Sequence, residues 1–73
     1  MAVLGVVSEI QLTIDAAKLF SWPSYVTGLR SNLRCDVVLV VITNDRAVGA
    51  WARRPISLGP GTGFVQAVVL PLA

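Results

Sequence analysis

The sequence predicts a small α/β domain in which strands and helices alternate along the chain. Apolar, largely β-branched runs near residues 2–12, 37–43 and 64–70 are typical of buried strands. Segments with helical spacing of apolar residues lie between them, near 15–33 and 45–53. We therefore expect a β-α-β-α-β unit with a three-stranded sheet, largely parallel or mixed, that carries helices on at least one face.

Composition limits the chain to a single small domain over residues 1–73. Hydrophobic residues make up 55% and charged residues 14% of the sequence, whereas ordinary domains carry about 25% charge. Such a chain has more apolar surface than it can bury, which indicates a partner or a missing piece. The net charge of +2 permits contact with nucleic acid but does not argue for it.

The missing residue types exclude several kinds of site. With no histidine and one cysteine, the chain cannot build a Ser-His-Asp or Cys-His device or an ordinary structural zinc site. A lone Cys35 fits a reducing cytoplasm, and we interpret it as a small buried hydrophobe. Prolines and glycines interrupt the uncharged stretch 55–73, and no basic residue precedes the first apolar run. We expect a cytoplasmic protein without a membrane segment.

The first strand, Ala2–Leu12, carries two polar residues near its downstream end, Glu9 and Gln11. Alternate residues of a strand share a face, so both side chains should project the same way. A buried carboxylate is costly, and without a cation or a hydrogen-bond donor its pKa rises. Gly5 is either a weak point in the strand or a site of close approach.

The segment after this strand predicts helix in two pieces. Asp15 is placed to cap the first, and because Pro23 interrupts the pattern, Ser21 or Trp22 should cap the second. An apolar stripe of helical period follows, formed by Trp22, Tyr25, Val26, Leu29 and Leu33. We favour packing of this stripe on the sheet over the alternative, stacking of its aromatic rings on nucleic-acid bases.

A second strand and a second helix follow. Asp36–Thr43 predicts a buried strand, and Asn44 is placed to cap a helix that ends before Pro55. Its inward-facing residues should be Ala47, Val48 and Trp51.

The glycine-rich segment Gly59–Gly63 invites a phosphate-binding interpretation, yet it lacks the Lys-Ser/Thr pair and leads into a strand. We expect it to be a loop or hairpin turn.

The run from Val6 to Leu70 resembles the carboxy-terminal half of a group of uncharacterised bacterial proteins from high-GC organisms. The pieces that match are Val6-Val7-Ser8-Glu9-Ile10-Gln11-Leu12, Ser21-Trp22-Pro23-Ser24-Tyr25, Leu29-Arg30-Ser31-Asn32-Leu33-Arg34-Cys35, Val38-Leu39-Val40-Val41, Trp51-Ala52-Arg53-Arg54-Pro55-Ile56, Leu58-Gly59, Phe64 and Val68-Val69-Leu70. That group looks like a branch of the PD-(D/E)XK phosphodiesterase superfamily, which includes transposase-associated nucleases.

The resemblance implies a metal-dependent nuclease site on the first strand. In that fold one strand carries an Asp and the next a Glu-x-Lys or Glu-x-Gln, whose acids hold Mg²⁺. Carried over, Glu9 is a metal ligand, the backbone carbonyl of Ile10 could add another, and Gln11 positions the attacking water. Nucleic acid would then be the partner.

The sequence also departs from this pattern. The Asp-bearing strand of the fold has no counterpart, and Gln11 cannot supply the positive charge of the commoner lysine. We therefore expect a remnant or fragment of a nuclease-like domain, the back half of the fold, inactive alone. The alternative is a non-catalytic interaction module that is completed by self-association through an open sheet edge, or by a partner chain.

Overall fold

The computed structural model describes residues 3–72, which form an α/β unit of two helices and five strands. In chain order the elements are β1 (Leu4–Ile10), α1 (Lys18–Leu33), β2 (Asp36–Ile42), α2 (Arg46–Ala52), β3 (Ile56–Gly59), β4 (Gly63–Val65) and β5 (Val68–Leu70). The predicted fold class is therefore confirmed. Neither helix within these residues has the length and apolarity needed to span a membrane.

The main sheet has three parallel strands in the order β1-β2-β5. β2 lies in the centre and pairs with β1 along its whole length, from Leu4 opposite Asp36 to Ile10 opposite Ile42. β5 adds three residues on the other side of β2. The expected β-α-β crossover between the first two strands is therefore confirmed, and β1 is an edge strand within the described residues.

The prediction of one continuous strand over residues 64–70 is wrong. This segment forms two short strands that pair with different neighbours. β4 pairs with β3 as an antiparallel hairpin, and β5 joins the main sheet. Between them Ala67 turns into the core at 8% exposure, and the side-chain Nε2 of Gln66 donates to the Arg53 carbonyl at 2.9 Å. Apolar alternation alone does not show which partner a strand pairs with.

The glycine-rich segment is a turn, as expected. Gly59, Gly61 and Gly63 have φ values of 141°, 70° and 107°. Side chains rarely tolerate these left-handed conformations, so the hairpin requires glycine at these positions. The segment joins two strands and precedes no helix, unlike a phosphate-binding loop.

Helix α1 runs unbroken through Pro23, so the prediction of a second capped segment at Ser21 or Trp22 is wrong. Proline removes one main-chain donor, but Pro23 is itself buried, and this packing offsets the lost hydrogen bond. Asp15 acts one turn ahead of the helix, where its side chain accepts a hydrogen bond from the Ala17 amide at 3.0 Å. The N-cap position belongs to Ala17.

Helix α2 begins after Asp45, not after Asn44 as predicted. The Asp45 side chain accepts from the Val48 amide at 3.0 Å, the geometry of an N-cap. Asn44 instead accepts from the Leu72 amide at 2.8 Å and so fastens the chain beyond β5.

The inward face of α2 is correctly predicted for two of three residues. Val48 is buried and Trp51 half-buried, whereas Ala47 is exposed. Ala52, rather than Ala47, is the small residue that packs into the core.

Both helices pack on the same face of the sheet. The core there contains Trp22, Leu39, Val41, Ala52 and Ala67, with Val7 and Val69 packed against it. α1 approaches the sheet closely at Gly5: a Cβ atom at this position would lie 3.2 Å from a methyl of Leu29 and 3.3 Å from one of Leu33. The predicted packing of the α1 stripe is therefore correct for Trp22, Val26 and Leu29, which are buried or half-buried, but wrong for Tyr25, which is 51% exposed. The molecule is a slab with extents of 34 × 32 × 15 Å.

Candidate functional site

The carboxyl end of β1 holds the predicted site residues. Glu9 lies one residue before the last position of the strand, and Gln11 is the first residue beyond it. The Gln11 amide still donates to the Ile42 carbonyl at 3.0 Å, so the main-chain pairing with β2 continues past the formal end of β1. Glu9 and Gln11 therefore sit at fixed positions relative to the central strand.

The Glu9 carboxylate is engaged by two side chains from the first part of α1. Lys18 Nζ donates to Oε1 and forms an ion pair with it, and Trp22 Nε1 donates to Oε2 at 2.6 Å. Residues four apart lie on one side of a helix, which is why Lys18 and Trp22 reach the same carboxylate. Trp22 is fully buried, so Glu9 satisfies an indole N–H that has no access to water.

These contacts set the ionisation of the pair. Partial burial raises the pKa of Glu9, but the hydrogen bonds from Lys18 and Trp22 and the Lys18 charge outweigh it and hold the pKa below the ordinary value of 4.5. The pKa of Lys18 is raised, chiefly by its hydrogen bond to Glu9. The raised pKa expected of an unpaired carboxylate does not arise, because Glu9 has partners.

Gln11 and Ile10 are placed differently from Glu9. Gln11 is buried at 5% exposure, and its Nε2 donates to the Thr13 carbonyl at 2.9 Å, which holds the turn after β1. Along a strand the main-chain N–H and C=O groups of successive residues point to alternate sides. The N–H of Gln11 points toward β2, where it donates to the Ile42 carbonyl. The carbonyl of Ile10 therefore points away from β2, toward the free edge of β1.

The arrangement as it stands does not fit Mg²⁺. Both oxygens of Glu9 already accept hydrogen bonds. No group of three His, Cys, Asp or Glu side chains that could hold a metal ion occurs within residues 3–72. Mg²⁺ demands a near-octahedral set of oxygen ligands. Coordination by Glu9 would require Lys18 to move away and further oxygen ligands to be added, such as waters, substrate phosphates or a second carboxylate.

Sequence reasoning missed Lys18 and the indole of Trp22 as partners of Glu9. From the sequence alone, Lys18 is expected to be an exposed charged residue of a helix, and Trp22 is expected to be a core residue. The signal that could have paired them with Glu9 is their spacing of four residues at the start of a helix that directly follows the strand.

The free edge of β1 is a second feature of this region. Since Gln11 faces β2, the amides and carbonyls of Val6, Ser8 and Ile10 point outward, away from β2. Protected edge strands usually carry a lysine, a proline or a bulge, or are very short. β1 is seven residues long and has no lysine, proline or bulge. It carries one inward-pointing charge, Glu9, which is ion-paired with Lys18. We call this row of unpaired groups the open edge.

The face of the sheet opposite the helices is uncovered within residues 3–72. Strand register assigns to it Leu4, Val6, Ser8, Ile10, Asp36, Val38, Val40, Ile42, Val68 and Leu70. All but Ser8 and Asp36 are apolar. Val6, Ile10 and Val68 are 54%, 57% and 47% exposed. We call this surface the bare face, and it adjoins the open edge along β1.

A groove of about 470 Å³ lies on another part of the surface, between α1, the end of α2 and β3. It is lined by Leu19, Phe20, Pro23, Trp51, Arg54, Pro55, Ile56, Ser57 and Leu58. Eight of these nine side chains are uncharged, and Arg54 is the exception. The Trp51 ring packs on Trp22, with centroids 5.3 Å apart and planes tilted by 45°.

The chain matches no protein-family model, and comparison with curated proteins and with solved structures gives no significant match. The resemblance to PD-(D/E)XK nucleases therefore depends on the sequence motifs alone.

Proposed function

We propose that this chain is a non-catalytic interaction module that a second polypeptide completes at the open edge and the bare face. The observation that carries the proposal is the coincidence of these two surfaces on β1. All-parallel sheets are ordinarily covered on both faces, and here both helices lie on one. Contiguous apolar patches of more than a few hundred Å² are rare on monomers and mark interaction sites.

A second copy of the chain is the partner that the structure supports first. Its β1 would present the same open edge, so two edges could pair through their outward amides and carbonyls. β1 carries no lysine or arginine that would oppose the approach of another β1. Its one charge, Glu9, is already paired with Lys18 on the helix side.

Sedimentation velocity over a range of micromolar concentrations tests the proposal. We expect the wild type to self-associate and Ile10→Lys, on the bare face, to shift it toward monomer. Tyr25→Lys is the matched control, because Tyr25 is similarly exposed, 51% against 57%, but lies on α1. A monomer that unfolds cooperatively and is unaffected by Ile10→Lys would overturn the proposal, since the sheet would then need no cover.

The second candidate is the function that the resemblance implies: part of a PD-(D/E)XK-like, metal-dependent phosphodiesterase domain that is inactive alone. Its support is the position of Glu9 near the carboxyl end of a parallel strand, followed in sequence by Ile10, whose carbonyl points outward, and by Gln11. A second polypeptide at the open edge could bring the missing carboxylate close to Glu9. Under this candidate the completed domain, and not this chain, acts on nucleic acid.

DNA cleavage assays with Mg²⁺ or Mn²⁺ test whether the chain alone is a nuclease, which neither candidate expects. We expect no cleavage by the chain alone, because one engaged carboxylate does not hold the metal. Metal-dependent cleavage that Glu9→Gln abolishes, while Asp36→Asn leaves it unchanged, would overturn the non-catalytic proposal.

A further inference from the structure

We propose that the groove between α1, α2 and β3 binds a small organic anion, with an apolar body held by the aromatic and proline walls and one acidic group held by Arg54. This site lies apart from the open edge and the bare face and does not depend on them. The proposal commits to a small molecule, since the groove volume of about 470 Å³ lies within the range of roughly 300–1,000 Å³ of ligand pockets.

The walls are apolar and held in place. Pro23 is buried in α1, and Trp51 is half-buried and packs at a tilt against the fully buried Trp22. A wall fixed by core packing does not have to be ordered when a ligand binds, which favours affinity. Phe20, 81% exposed at the rim, offers a further aromatic surface to the ligand.

The charge of the groove selects an anion. Arg54 is the one charged residue in the lining, and no acidic residue contributes to it. The ion pair formed within residues 3–72 is that of Glu9 with Lys18, so Arg54 has no carboxylate partner there. A guanidinium beside apolar walls binds a carboxylate or sulfonate through charge-assisted, often bidentate hydrogen bonds.

The test is an NMR titration with naphthalene-2-carboxylate and, as the uncharged counterpart, naphthalene-2-methanol. The indole N–H resonance of Trp51, assigned with Trp51→Phe, reports occupation of the groove. We expect the acid to shift this resonance and to bind roughly 1.4- to fivefold more tightly than the alcohol, the range typical of one exposed charge-assisted contact.

Three variants test Arg54 as the acid-binding group. Arg54→Gln should remove the preference for the acid and leave the affinity for the alcohol unchanged, whereas Arg53→Gln, its neighbour outside the groove, should alter neither. Leu58→Asp, which places a negative charge on the wall, should weaken binding of the acid.

Equal affinity of the wild type for acid and alcohol would overturn the proposal. So would shifts confined to Val6, Ile10 and Val68, which would place the probe on the bare face. Absence of self-association in the wild type would count against the interaction module proposed above. It would leave the proposal of an anion site in the groove unaffected.

Discussion

At the scale of single residues, Glu9 joins β1 to α1. Its carboxylate accepts from the half-buried ammonium of Lys18 and from the fully buried indole of Trp22, the latter at 2.6 Å. The two contacts differ in value, because the ammonium can return to water whereas the indole N–H cannot. Substitutions at Glu9 should therefore separate the charge from the hydrogen bond.

Glu9→Gln should destabilise the protein mildly and Glu9→Val more strongly. Glutamine keeps an oxygen for the indole, whereas valine leaves a buried donor without a partner, a loss of roughly 1–3 kcal/mol. Chemical denaturation of both variants measures the difference. A glutamine variant that is more stable than the wild type would mean that Glu9 is kept for a function and not for this anchor.

The lowered pKa of Glu9 gives a second residue-scale prediction. Because the folded pKa lies below the unfolded value of 4.5, the contribution of Glu9 is complete above that value and is lost as the pH falls through the folded pKa. The stability difference between wild type and Glu9→Gln should therefore shrink from neutral pH to about pH 3. Melting temperatures at the two pH values test this, and an unchanged difference would contradict it.

At the scale of elements, substitutions at two glycines should change the stability of the protein in opposite directions. Gly5 sits under α1, where a Cβ would lie 3.0 Å from a methyl of Val37, whereas nothing lies within 4 Å of a Cβ at Gly28 in α1. Gly5→Val should cost about 1–3 kcal/mol through overpacking. Gly28→Ala should stabilise the helix by roughly 0.5–1 kcal/mol.

Thermal unfolding of these two variants provides the comparison. Gly28→Ala also serves as the control for handling and expression, since its effect has the opposite sign. A tolerated Gly5→Val would show that α1 can lift from β1, contrary to the close packing seen here.

Helices and strands were predictable from the sequence where the local residue pattern determines the conformation. They were not predictable where the conformation depends on contacts with distant parts of the chain. The β-branched run of β2 and the spacing of α2 predict their elements within about two residues. The continuity of α1 through Pro23 depends on that residue being buried, and the split between β4 and β5 depends on a change of strand partner. The placement of Glu9 at a strand end was likewise predictable, but its engagement by Lys18 was not.

At the scale of the whole molecule, the sheet should protect its amides unevenly. β2 is paired on both sides, whereas Val6, Ser8 and Ile10 of β1 direct their amides outward at the open edge. Hydrogen exchange at low concentration should be fast at those three residues and slow at their inward-facing neighbours Val7 and Glu9. Slowing at the outward set as concentration rises would identify the open edge as the contact, and fast exchange at every concentration would exclude it.

The placement of both helices on one face follows from the handedness of the crossover connections. Connections between parallel strands are right-handed in about 98% of cases, so two successive crossovers in the same direction, from β1 to β2 and on to β5, put their helices on the same side. A right-handed crossover that returned from β5 to a new strand beyond β1 would run in the opposite direction and lay its helix on the other side. One such unit would fill the open edge and the bare face together. It would also make the end of β1, where Glu9 lies, a topological switch point, the place where open α/β sheets form their ligand crevices.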